Sequence, residues 1–170
     1  KRMRDEVGAK FQLVGHKIPN ADYEGVISVE NDVSGCPDRV LGMGAFGLVY
    51  WMTGAEAGCE VNRSCTNKQY DGELTVNTDY TQKQLEDAIK GGKLILHNAN
   101  GVVRILDDIN SMVSVTDTQG ELFKDNQTVR VIDQIGNDIA VLFSTKYLGT
   151  ISNDAAGRTS LWSDIVAHPR

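Results

Sequence analysis

Long apolar runs are missing from this 170-residue chain. A helix needs about 20 consecutive apolar residues to span a bilayer, so no membrane segment is expected. Clusters of lysine and arginine interleaved with aromatic residues are missing too. With a formal net charge of −6 and a pI near 5.0, the overall field repels a phosphate backbone, which excludes nucleic acid as a natural partner. Cysteines are few and unpatterned: Cys36, Cys59 and Cys65 are odd in number, with no C-x-x-C pair and no Cys/His cluster. That excludes a disulfide framework or a zinc site, leaving a bridge from Cys59 to Cys65 as the one conceivable pairing and free thiols as the expected state. Histidines number three. His16, His97 and His168 are the only imidazoles, and no G-x-S-x-G elbow accompanies them, so no nucleophilic serine with a general base is expected and no catalytic residue is assigned.

What is present is ordinary globular material, 41% hydrophobic and 24% charged, enough for one domain with a core or for pieces of two. Residues 11–14 and 25–30 are short β-favouring runs bounded by turn formers, so two early strands are expected. Leu41, Ala45, Leu48, Val49, Met52 and Ala55 fall at helical spacing ahead of Gly58, a helix stop. Residues 62–71 read as a loop and 74–76 as a strand. Thr81 and Gln84 form a capping box in front of Leu85, Ala88 and Ile89, with Gly91 and Gly92 as terminator. Residues 93–97 and 102–106 flank Asn100-Gly101, a dipeptide suited to a type I′ turn; the hairpin so formed places Leu96 opposite Ile105. The polar stretch 107–125 is the candidate linker, although Met112, Val113 and Val115 ask for packing, and a domain boundary is expected near Leu106.

Beyond it, two helices are expected over about 128–146 and 155–168, the second capped by Asn153 or Asp154. Val129, Ile132, Ile135, Ile139, Leu142 and Phe143 recur three or four apart on the first, a core stripe that leaves Asp138 at its polar edge. Trp51 and Trp162 read as core or interface anchors.

Gly42, Met43, Gly44, Ala45, Phe46 and Gly47 match G-x-G-x-x-G, the basis of an alternative reading as a nucleotide- or cofactor-binding enzyme domain. The match lacks a preceding strand and the acidic residue that follows in true fingerprints, so close helix packing is the better account. The carboxylate pairs Asp107 with Asp108 and Asp133 with Asp138 are expected to be solvated or paired with Arg104, Arg130 or Lys146 rather than to bind metal. No cofactor and no metal is assigned.

Three segments carry a resemblance. VYWMTGAEAGCEVNRSCTNKQYDGE over 49–73, GKLILHNANGVVRILDDIN over 92–110, and NQTVRVIDQIGNDIAVLFSTKYLGTISNDAAGRTSLWSDIVAH over 126–168 resemble, in that order, contractile tail sheath proteins of Gram-positive myophages, PBSX-like prophages and phage-tail bacteriocins. The resemblance implies an α/β (α+β) chain in which residues 1–106 belong to the subtilisin-like middle domain and 107–170 to the first part of the C-terminal domain. It implies a non-enzymatic structural subunit of a contractile injection system, with neighbouring sheath subunits, a tail tube protein, a baseplate and a tail terminator as partners. The location implied is a virion tail or tail-like particle assembled in the bacterial host cytoplasm. The ends KRMRDEVGAKF and LWSDIVAHPR read as helix interrupted, so the chain is expected to be an internal fragment without its terminal arms, monomeric in isolation. By charge alone, Lys124, Arg130, Lys146 and Arg158 are the candidates to face an acidic tube. A remnant of a secreted hydrolase is a third reading, opposed by the missing nucleophile motif.

Overall fold

Short β-favouring runs separated by turn formers give short strands, and the first half of the structure is built of them. The structure, a computed structural model, describes residues 1–34 and 44–167. Helix α1 (Arg2–Asp5) precedes β1 (Leu13–His16) and β2 (Val26–Val29), which pair in parallel with Leu13 opposite Val26 and His16 opposite Val29. A parallel pair ordinarily needs a crossover of a dozen or more residues. Here residues 17–25 make the return, and Lys17, Asn20 and Asp22 adopt positive φ to do it. Beyond β2, Leu94 continues the sheet: its N–H donates to Ser28 O and its carbonyl accepts from Glu30 N, both at 2.9 Å.

β3 (Val33–Ser34) pairs antiparallel with β4 (Thr75–Val76), and between them runs α2 (Gly44–Ala57). Leu48, Met52 and Ala55, one face of α2, are buried, while Phe46 and Tyr50 on the other side are exposed. Gly47 has a packing role, since a Cβ there would sit 2.3 Å from Leu74 Cδ1. α3 (Gln82–Lys90) starts at the expected capping box, with both reciprocal bonds formed by Thr81 and Gln84. Gly92 then takes φ +65° at a point where a Cβ would lie 2.8 Å from Ser111 O, which makes glycine the fitting residue. β5 (Leu96–Ala99) and β6 (Val102–Ile105) form the expected hairpin, with Leu96 opposite Ile105 and the turn at Asn100-Gly101. Ile27, Val29, Leu48, Met52, Cys65, Val76, Leu94, Leu96 and Ile105 make one core cluster.

The linker expected over 107–125 is not a linker in its first part. Asp108, Asn110, Ser111 and Met112 are buried, and polar side chains hold the stretch in place. Asn110 donates from Nδ2 to Phe123 O at 2.7 Å and accepts from Met112 N at 3.0 Å. Ser111 N donates to Val26 O at 2.8 Å. Asp22 accepts from Val113 N, Ser114 N and Ser114 Oγ at 2.7, 2.9 and 2.6 Å. These bonds satisfy groups that would otherwise be costly to bury. Packing divides the chain into Lys1–Val129 and Arg130–Arg170, later than the boundary expected near Leu106.

The one-turn 3-10 helix Glu121–Lys124 leads into α4 (Asn126–Leu142), followed by the π-helical turn Phe143–Tyr147 and by α5 (Ala155–Ala167). Asp154 caps α5, its Oδ1 accepting from Gly157 N at 2.7 Å. Val129 is buried, but the rest of the expected core stripe is not. Ile132, Ile135 and Phe143 are 41%, 42% and 45% exposed, and Ile139, Leu142 and Asp138 are half-buried. Trp162 is 69% exposed, so it anchors no core in its own unit, whereas Trp51 is half-buried, 4.8 Å from the Tyr70 ring. Among the described residues of the second unit, Tyr147 alone is buried. The periodicity correctly marked a helix; the face it marked meets solvent in this chain because two helices and a turn supply too little apolar surface to cover it.

Candidate functional surface

The four basic candidates fall in both units and in different surroundings. Lys124 ends the 3-10 turn with its ammonium 3.2 Å from Glu121 Oε1, and its carbonyl accepts from Asn110 N at 2.9 Å. Arg130 is half-buried. Lys146 stands on the π-helical turn and bonds Asp164 on α5. That bond raises the Lys146 pKa and, together with the Tyr147 hydroxyl, lowers that of Asp164. Arg158 is exposed at a shallow cavity of about 300 Å³ whose lining includes Phe143, Tyr147, Leu148, Ile151 and Leu161. Local carboxylates therefore offset Lys124 and Lys146, whereas Arg158 is exposed. Charge counting did not reveal this, because the partner of Lys146 lies 18 positions away.

Tyr147 is a residue the sequence reading passed over. Its hydroxyl donates to Asp164 Oδ2 and lies 3.1 Å from Ser160 Oγ, which ties the turn to α5 around a buried side chain. The only sequence signal is Gly149 just beyond, at φ +72°.

Asp107 and Asp108 do not behave alike. Asp107 is half-buried and accepts from Thr66 Oγ1 at 3.2 Å. Asp108, 1% exposed, accepts from Cys65 N at 2.8 Å, Ser64 Oγ at 3.2 Å and Asn126 Nδ2 at 2.8 Å. The expectation that it is solvated is corrected: it is buried, and neutral donors are among the groups that hold it. Glu56, Cys65 and Asp108 bring ligand-type atoms within 4.8 Å of one another. Burial first, then the charges of Glu56 and Asp108, push the Cys65 thiol pKa up. Cys59 and Cys65 carry free thiols.

The histidines sit in structural settings where they are described. His16 Nε2 lies 3.0 Å from Asn31 O and 3.4 Å from Asp32 Oδ1, His97 is half-buried in β5, and His168 lies outside the described residues. So do Gly42, Met43 and Cys36. The described part of the glycine motif opens α2, where Gly47 faces Leu74. No helix among the described residues is long and apolar enough to cross a membrane.

What the geometry presents is therefore surface: a braced α+β body and a short helical unit with an apolar face. Known proteins of one kind share it. The family model described as phage tail sheath protein central domain matches residues 1–111, and that of the phage tail sheath C-terminal domain matches residues 118–170. This chain belongs to the phage tail sheath protein family, as the three resembling segments implied. The sheath tail protein of Desulfitobacterium hafniense is 38% identical with a TM-score of 0.85, over 99% of this chain and 39% of that one. Phage-like element PBSX protein XkdK of Bacillus subtilis is 32% identical over 147 residues, 82% of this chain and 30% of its own length. The anti-feeding prophage helical sheath in its contracted state shares the fold at 12% identity, with a TM-score of 0.66 over 92% of this chain and 44% of that one. The chain thus spans less than half the length of each of these relatives.

Proposed function

We propose that this chain forms the centre of a structural subunit of a contractile tail sheath, which polymerises around a tail tube and contracts to drive the tube through a cell envelope. The observation that carries this is the match of both sheath domain models, in order, over nearly all of the chain. On this reading residues 1–106 are part of the subtilisin-like middle domain and 107–170 open the C-terminal domain; the two family models meet between residues 111 and 118. Contraction needs a rigid body that can exchange one set of intersubunit contacts for another. The polar bracing around Asp22, Asp108 and Asn110 supports the rigid part. The exposed apolar face of α4, with Trp162 exposed on α5, supports the contacts, since such a face is ordinarily covered in an assembly.

The partners are further sheath subunits, the tube protein, the baseplate and the tail terminator, in a virion tail or tail-like particle assembled in the host cytoplasm. Of the basic candidates, Arg158 has the best claim to face an acidic tube, ahead of Lys124, Arg130 and Lys146. No catalysis is required, and a serine-directed activity probe is expected to leave the chain unlabelled. The isolated chain is expected to be monomeric or weakly associating in sedimentation velocity, and the complete sheath subunit to form rings or tubes by negative-stain microscopy. A complete subunit that stays monomeric beside its tube protein would refute the assignment.

A further inference from the structure

The tip of the β5–β6 hairpin combines the one Asn-Gly dipeptide of the chain with an unusual restraint. Asn100 and Gly101 are both exposed, at φ +55° and +85°, and nothing lies within 4 Å of the position a Gly101 Cβ would take. Glycine on the carboxyl side leaves its own nitrogen free of steric cover, the situation in which an asparagine side chain is attacked by the main chain that follows it. The Gly101 N–H, however, donates to Asn98 Oδ1 at 2.8 Å. That bond holds the amide proton and points the nitrogen across the turn toward residue 98.

We propose that Asn100 is a self-modification site whose succinimide chemistry the Asn98 side chain holds in check. In the reaction the Gly101 nitrogen gives up its proton to solvent base and bonds to Asn100 Cγ. The bond from Cγ to Nδ2 breaks, and nitrogen leaves as ammonia with a proton returned from solvent. Water then opens the ring at either carbonyl, giving an aspartate or its β-linked isomer and adding one negative charge to a chain whose formal charge is −6. Ring closure requires the peptide between residues 100 and 101 to rotate, which the positive-φ turn and the Asn98 bond both oppose. The β-linked product carries an extra main-chain carbon through a two-residue turn. The turn sets the register that buries Leu96 and Ile105, so the product loosens the core as well as the tip.

The test is incubation of the 170-residue chain at mildly alkaline pH, folded and in urea, with ion exchange and peptide mapping of residue 100. Folded Asn98→Ala and Asn98→Asp are run beside it, and melting curves report their folding. The expected result is an acidic species mapping to Asn100, forming several-fold faster in urea than in the folded chain. Asn98→Ala is expected to be several-fold faster than wild type, while Asn98→Asp, which keeps an oxygen acceptor at that place, stays slow. No conversion at Asn100 in urea, equal rates folded and unfolded, or an Asn98→Asp chain as fast as Asn98→Ala would each overturn the proposal.

Discussion

Asn31 is the side chain whose replacement tests the fold most sharply. It is fully buried two residues beyond β2, and its amide meets three main-chain groups: Nδ2 donates to Leu96 O at 2.8 Å and to Asn77 O at 2.9 Å, and Oδ1 accepts from Leu96 N at 2.7 Å. Asn31→Leu keeps nearly the same volume and removes all three bonds. Asn77 is exposed, so its carbonyl can turn to water, which leaves the two groups of Leu96 as buried orphans. Each orphan costs about 1–3 kcal/mol, so a loss of about 3 kcal/mol is expected. In a domain whose whole stability is about 5–15 kcal/mol that is a large fraction, and at about 2–4 °C per kcal/mol the melting temperature should fall by about 6–12 °C. Asn31→Asp refines the test. A carboxylate still accepts from Leu96 N but turns an oxygen toward two carbonyls, and burial with that repulsion raises its pKa. A raised carboxyl pKa means the folded state holds a proton that the unfolded state releases, so the deficit of this variant should grow as pH rises. Thermal melts of the three proteins across pH decide it. An Asn31→Leu chain that melts with the wild type would show that the three bonds do not hold Leu96 and Asn77 in place.

Asp22, with three donors led by the Ser114 hydroxyl, has its pKa lowered to about 2. Its contribution should be present above about pH 4 and be lost as pH falls through 2; because the group is exposed, it should amount to no more than about 1 kcal/mol. Asp22→Asn should flatten that acid limb, and an unchanged difference from wild type between pH 6 and pH 2 would refute the argument. Under native conditions Cys59 should alkylate well before Cys65, which is 1% exposed, and after unfolding without reductant all three cysteines should react; equal native rates for the two, or a thiol missing after unfolding, would contradict it. Ile135→Asp in the isolated chain should change stability by no more than about 0.5 kcal/mol, since the site is 42% exposed, and a large drop in its melting temperature would show that the α4 face is packed.

What could be read from residues alone was what is decided locally. The Asn100-Gly101 turn and the box of Thr81 and Gln84 each work within four residues, so composition sufficed for the hairpin and for α3. The parallel pairing of β1 with β2 depends on positive φ at Lys17, Asn20 and Asp22; Asn20 and Asp22 were legible as turn formers, but not the direction in which the chain returns. The polar run from Asp107 onward misled for a related reason. Polarity signals a loop only when water is the partner, and Asp108, Asn110 and Asn126 find theirs inside, from Cys65, Phe123 and Gln12. The stripe on α4 shows the limit of periodicity itself. Spacing reports that a face is apolar, but what covers the face is a property of whatever packs there. In this chain Ile132, Ile135 and Phe143 remain open, and the family assignment supplies the reason to look for their cover in an assembly. The same logic bears on Lys146: its charge was visible in sequence, yet Asp164 already engages it. A search for tube-facing groups should therefore begin at Arg158, where charge and exposure coincide.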